Sequence, residues 1–111
     1  MDKWISYVKN GGNLILTCRT AQKDRYGRLP EAPFGSMITP LTGNEMDFYD
    51  LLLPKDPGTV VMNGKEYAWN TWGEILNSPA DAQIWATYKN EFYEGSPAVT
   101  FRKLGKGTIT Y

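Results

Sequence analysis

The sequence contains no histidine, and Cys18 is its single cysteine among 111 residues. Without histidine, the protein cannot form a Ser-His-Asp or Cys-His nucleophile pair or use an imidazole metal ligand. One thiol cannot form an internal disulfide or a site with several thiolate ligands. Carboxylate chemistry, lysine chemistry and oxygen-only metal binding remain, but no acidic cluster has calcium-loop spacing. We therefore predict neither a metal nor a cofactor.

The charge is balanced, and long apolar runs are missing. Twelve basic residues match twelve acidic ones, so the positive surface that nucleic acids or anionic membranes require is not expected. No apolar run approaches the roughly 18–20 residues that cross a bilayer, and the N-terminus lacks a signal-peptide core. We predict a soluble protein that binds neither nucleic acid nor a membrane. We favour the cytoplasm, although the lone thiol does not identify a compartment.

The first 18 residues predict a helix followed by a buried strand. Asp2 is expected to cap a short helix that ends at Gly11-Gly12. The apolar run 14–18 does not alternate with polar residues, which favours a strand covered on both faces in a parallel sheet. A right-handed crossover places the parallel neighbour before the helix, and the strand pattern is still running at Tyr111. We therefore predict that residues 1–111 are a single-domain fragment of a longer protein.

The second half predicts mostly β-structure. Asn63-Gly64 is the residue pair that a two-residue type I′ hairpin prefers. We expect a short helical turn near 36–41. The predicted strands are 46–53, 59–62, 65–72, 82–88, 98–104 and 108–111.

Two constellations suggest chemistry, but simpler interpretations are favoured. Gly105-Lys106-Gly107-Thr108 lacks phosphate-loop spacing and precedes a strand rather than a helix. Glu74, Glu91 and Glu94 lie among aromatics as in a glycosidase site, yet acids at strand ends are usually solvated. Cys18 is interpreted as a small buried hydrophobe.

The aromatic side chains and one polar loop supply the remaining candidates. Trp69, Trp72 and Trp85 could fill the core, form a subunit interface or stack on sugar rings. Arg19, Lys23 and Asp24 follow the predicted strand at 14–18, where open α/β sheets bind ligands. A polar network within that loop is favoured over a binding site.

Several strings resemble the middle domain of glycoside hydrolase family 42 β-galactosidases. Residues 7–17 (YVKNGGNLILT) and 19–24 (RTAQKD) resemble its YVxNGGxLVLTxRSGxKD segment. Residues 72–76 (WGEIL) resemble its WAEVL. Residues 92–100 (FYEGSPAVT) and 105–107 (GKG) resemble its FYAGxPAVTxxxxGKG ending. Two departures are Cys18, where members often have an aromatic residue, and Thr20-Ala21, which replaces Ser-Gly and puts the loop geometry in doubt.

The resemblance implies a flavodoxin-like α/β three-layer domain, similar to class I glutamine amidotransferases without their catalytic residues and here truncated at its N-terminus. It implies a non-catalytic trimerisation domain. In the parent enzyme, two glutamates of a separate N-terminal (β/α)8 barrel would hydrolyse terminal β-galactosides with retention. One alternative is a carbohydrate-binding accessory module that uses exposed tryptophans. A weaker alternative is an amidotransferase-like regulatory domain that binds a small anion beside Arg19 and Lys23.

Overall fold

The chain folds mainly as β-structure, and the computed structural model describes residues 1–111. Strands contain 39% of the residues and helices 11%. In chain order the elements are α1 (Asp2–Lys9), β1 (Asn13–Ile15), α2 (Thr39–Thr42), β2 (Glu45–Asp50), β3 (Gly58–Met62), β4 (Lys65–Trp69), β5 (Gly73–Asn77), β6 (Gln83–Lys89), β7 (Pro97–Leu104) and β8 (Gly107–Thr110).

Six strands form a curled sheet in the order β1-β8-β7-β6-β3-β4. Its β1–β8 pair is parallel and its other pairs are antiparallel. A second, antiparallel sheet consists of β2 and β5. Two apolar clusters form the core. The first contains Val8 of α1, Leu41 of α2 and Ile109 of β8, and the second is centred on Ile75, Tyr88 and Tyr93.

The predicted flavodoxin-like α/β three-layer fold is wrong. Tight hairpins connect β3 to β4 and β7 to β8, whereas a doubly wound sheet requires crossover helices between parallel strands. The segment 16–38 contains turns and no helix. The parallel partner of β1 is β8, the last strand of the chain, rather than an element before α1. The amidotransferase-like alternative loses its structural basis with this correction.

Two local elements predicted from the sequence are confirmed, a hairpin and a helix. The hairpin at Asn63-Gly64 is confirmed, with φ angles of 52° and 74° at its two turn residues. The helix before Gly11 is confirmed as well, but Asp2 does not cap it, because the amides of Trp4 and Ile5 both donate to the carbonyl of Met1.

The apolar run at 14–18 was interpreted incorrectly. Its strand includes only Asn13–Ile15, and 76% of the surface of Ile15 is exposed. Cys18 is also exposed rather than buried. Of the predicted buried run, Leu16 is the residue that enters the core. No helix has the length and apolar character needed to cross a bilayer.

Candidate functional site

Glu74 is the centre of a buried hydrogen-bond network. It lies on β5 with 4% of its surface exposed. Its Oε1 accepts hydrogen bonds from the backbone N–H of Arg19 at 2.8 Å, from Nε1 of Trp72 at 3.0 Å and from Nε2 of Gln22 at 3.4 Å. Its Oε2 accepts a hydrogen bond from the hydroxyl of Tyr111. The network joins β5 to the loop after β1 and to the end of β8.

The indole ring of Trp72 is occupied by other side chains. The Arg19 guanidinium carbon lies 4.7 Å from its centroid, in a cation–π arrangement. Tyr49 stacks on Trp72 with a centroid distance of 4.3 Å and an interplanar angle of 10°. Phe34 contacts the same ring at 6.3 Å. A sugar would have to displace these groups before it could stack on Trp72.

The remaining loop candidates separate from each other. Lys23 is exposed and lines a shallow depression together with Arg19 and Gln22. Asp24 instead accepts hydrogen bonds from the backbone N–H groups of Arg28 and Tyr26, and it forms an ion pair with the Arg28 side chain. These bonds, above all the one from the Arg28 amide, lower the pKa of Asp24. Asp24 therefore shapes its own loop.

The other two tryptophans occupy different environments. Trp69 packs against the second core cluster, where its ring meets Tyr88 edge-on with a centroid distance of 5.5 Å. Trp85 lies on the surface, with 42% of its area exposed. Its ring stacks on Phe101 with a centroid distance of 4.5 Å and an interplanar angle of 10°. The three tryptophans therefore do not form one continuous surface.

The carboxylates of the three glutamates considered for glycoside hydrolysis are not joined by hydrogen bonds. The carboxylate of Glu74 is occupied as described above, and Oε2 of Glu94 accepts the backbone N–H of Asn90 at 2.8 Å in an exposed turn. Glu91 lies in the same turn, where its backbone carbonyl accepts the N–H of Glu94 at 2.9 Å. No group of three histidine, cysteine, aspartate or glutamate residues is arranged to hold a metal ion.

The chain exposes more surface than a compact monomer of its mass, and many large hydrophobic side chains lie on that surface. Its total accessible surface is 7163 Å², whereas a compact monomer of this mass exposes about 6,200 Å². Fourteen large hydrophobic residues are exposed, against eleven hydrophobic residues in the core. The exposed set is Met1, Trp4, Tyr7, Ile15, Tyr26, Leu29, Phe48, Tyr49, Leu51, Leu53, Tyr67, Ile84, Trp85 and Phe92.

Most of this surface was not predicted from the sequence. Phe92 is 86% exposed and stacks on Phe48 at 5.5 Å. A signal was available, because Phe92 and Tyr93 are adjacent in a turn and one of two such neighbours often faces solvent. The Arg25–Arg28 segment, with Tyr26 between its two arginines, was also overlooked.

A small β-rich domain with a filled polar centre and an uncovered aromatic exterior has the features of a module that packs against other protein. Residues 1–111 match the family described as the β-galactosidase trimerisation domain, and the chain belongs to that family. The resemblance found in the sequence is thereby confirmed.

Curated relatives are β-galactosidases of much greater length. LacA of Lactobacillus acidophilus is 35% identical over 112 aligned residues, which include all of this chain and 17% of LacA. BgaH of Haloferax lucentense is 30% identical over 105 residues, covering 95% of this chain and 16% of BgaH. The chain thus spans about one sixth of the length of the curated relatives it matches.

Solved structures show the same fold within larger enzymes. Gan42B, a family 42 β-galactosidase from G. stearothermophilus, matches 99% of this chain with 16% of its own, at a TM-score of 0.89 and 25% identity. The β-galactosidase of Halorubrum lacusprofundi matches 99% of this chain with 16% of its own, at a TM-score of 0.87 and 28% identity. An exo-β-1,4-mannosidase from an Opitutaceae bacterium matches 98% of this chain with 17% of its own, at a TM-score of 0.64 and 22% identity. This match shows the fold alone.

Proposed function

We propose that this domain holds the subunits of a β-galactosidase together as a homotrimer. Hydrolysis of terminal β-galactosides is assigned to a separate (β/α)8 barrel of the same longer chain, against which the domain also packs. The family description and the names of the relatives support this function. The domain makes up about one sixth of those relatives, which leaves ample chain for a catalytic barrel.

The exposed apolar surface carries the proposal. The accessible area exceeds that of a compact monomer by roughly 1,000 Å², and the radius of gyration is 14.4 Å against about 13 Å for a compact chain of this length. Burial of that excess in an assembly would stabilise it through the hydrophobic effect. Two surface pairs are candidate contacts: Trp85 with Phe101, and Arg19 with Trp72. Lys23 lines the same depression as Arg19. Trp69 packs against the second core cluster.

The proposal is tested on the intact enzyme and on a variant that lacks residues 1–111. Light scattering behind a sizing column gives the mass of each, and hydrolysis of a nitrophenyl galactoside is assayed on the same fractions. A trimer that falls to an active monomer supports assembly as the function. An unchanged mass contradicts it, and an intact enzyme without galactosidase activity contradicts the assignment of the parent.

Carbohydrate binding is a second candidate because Trp85 retains an exposed ring on the surface. Galactosides are titrated while tryptophan fluorescence is recorded. A saturable change that disappears in Trp85→Ala but persists in Trp4→Ala supports binding. Trp4 is a matched control, since it is also 42% exposed but lies on α1. A flat titration contradicts sugar binding and leaves assembly as the function.

A further inference from the structure

Residues 23–29 form an ordered loop that presents basic and aromatic side chains to solvent, and we name it the basic loop. Asp24 organises it through two side-chain bonds to backbone N–H groups and through its own backbone, which pairs with Arg28 at 2.8 Å and with Gly27 at 3.0 Å. Because these bonds fix the loop before any contact forms, a partner would lose little conformational entropy on binding it.

The tip of the basic loop has the residue types that dominate binding energy in interfaces. Tyr26 is 65% exposed, and the guanidinium carbons of Arg25 and Arg28 lie 4.8 Å and 5.2 Å from its ring centroid. The Arg25 guanidinium also donates a hydrogen bond to the Tyr26 hydroxyl at 2.7 Å. Tyrosine and arginine are enriched among the few residues that carry most of an interface's affinity.

Close to the basic loop lies a depression of the opposite charge, which we name the acidic groove; Leu29 of the loop and Phe34 of the groove both line a smaller depression between them. It has a volume of about 470 Å³ and includes Pro33, Phe34, Pro40 and Met46, with Glu45 and Asp47 among its lining residues. Both carboxylates are exposed, and neither takes part in the three ion pairs of the chain. The groove therefore offers an apolar surface for an alkyl chain or a ring, together with two uncompensated negative charges.

We propose that the basic loop of one copy docks into the acidic groove of the next copy around the trimer. This inference rests on the proposed assembly function and specifies its contact. The occupant is a second copy because one chain carries both halves of a charge-complementary pair and does not join them internally. Contact between two different patches is the heterologous kind that a ring of three requires. In it, Tyr26 packs on Phe34 and Met46, and Arg25 pairs with Glu45 and Asp47.

The test uses charge reversal in the intact enzyme, with the trimer-to-monomer transition followed by light scattering on dilution. We expect Arg25→Glu alone and the pair Glu45→Lys, Asp47→Lys alone each to raise the midpoint concentration by about tenfold or more. A chain with all three substitutions restores opposite charges across the contact, and its midpoint should return toward that of the wild type. Arg25 is chosen because Arg28 is required for the ion pair with Asp24.

Controls separate loss of the contact from loss of the fold. Lys55→Glu makes the same charge change at an exposed lysine outside both patches and should leave the midpoint unchanged. Tyr26→Ala should weaken the trimer without lowering the melting temperature of the domain. If Arg25→Glu and Tyr26→Ala remain trimeric at wild-type concentrations, or the triple variant is not restored, the loop-and-groove contact is overturned while assembly stands. A monomeric wild type would overturn the proposed function itself.

Discussion

The hydroxyl of Tyr111 donates a hydrogen bond to Oε2 of Glu74, and 37 positions separate the two residues. The backbone of Tyr111 pairs with Thr100 through both its N–H and its C=O, at 3.0 Å and 2.8 Å. Burial, followed by the bond to Glu74, raises the pKa of Tyr111 well above its usual range, so the hydroxyl stays protonated and remains a donor. Through this contact Glu74 joins the two-stranded sheet to the six-stranded one.

Replacing Glu74 with glutamine should destabilise the domain. The amide keeps one acceptor oxygen, but its NH₂ group faces donors that the carboxylate satisfied, so at least one buried donor loses its partner. We expect the free energy of unfolding to fall by about 2 kcal/mol. Urea denaturation measures this loss, and the dependence of the unfolding free energy on urea concentration should not change. Glu31→Gln, at an exposed position outside the ion pairs, should change stability by less than about 0.5 kcal/mol, and equal effects of the two variants would contradict a special role for Glu74.

The sequence predicted this domain well wherever structure is decided by neighbouring residues. Asn63-Gly64 and Gly105-Lys106 each form a hairpin because two-residue turns require particular side chains and backbone angles. Partners distant in sequence are different, since Asn13 pairs with Thr108 and Arg19 meets Glu74 across 55 positions. Neither short segment contains information that selects its distant partner.

The error in the predicted fold has a similar cause. The flavodoxin-like fold was implied by the family resemblance, and a helix followed by an apolar run favoured it as half of a parallel α/β unit, although Ile15 is 76% exposed. An apolar residue that packs against another protein has the same sequence signature as one in the domain core. The family was recognised correctly from its motifs, because recognition does not depend on knowing which elements pack together.

Replacing Ala21 with glycine should stabilise the domain. Ala21 has φ 55°, a left-handed conformation that costs a residue with a Cβ about 1–2 kcal/mol. Glycine removes that cost but loses more entropy on folding, and it also loses the packing of the Ala21 methyl against the first core cluster. A net gain of at most about 0.5 kcal/mol is therefore expected. Ala80→Gly is the matched control, since Ala80 is exposed and its φ is not positive. Calorimetric melting should give opposite signs for the two variants, and destabilisation by Ala21→Gly would contradict the argument.

Alkaline pH should unfold the domain through its buried tyrosines. Burial raises the pKa of Tyr88 to about 12 from a usual value of 10.0. A raised folded-state pKa means that this stability is fully present below pH 10 and is lost as pH rises from 10 toward 12. Urea midpoints measured from pH 8 to 12 should stay level and then fall. Tyr88→Phe should reduce the fall, while Tyr67→Phe, at an exposed position on β4, should leave it unchanged.

Replacing Gly107 with alanine should be the most damaging small substitution in the domain. Gly107 begins β8 where that strand passes the end of α1, and a Cβ at this position would collide with the carbonyl oxygens of Val8 and Gly12. Backbone atoms cannot turn away as a flexible side chain can. The amide of Thr108 would also be pulled from the Gly12 carbonyl, to which it donates at 3.1 Å. We expect the free energy of unfolding to fall by about 3 kcal/mol, measured by urea denaturation.

Gly95→Ala isolates the conformational cost, because Gly95 has φ 88° and open space around it. A loss for Gly107→Ala no larger than that control would show that β8 and α1 can separate, and it would remove this contact from the forces that position the parallel β1–β8 pair.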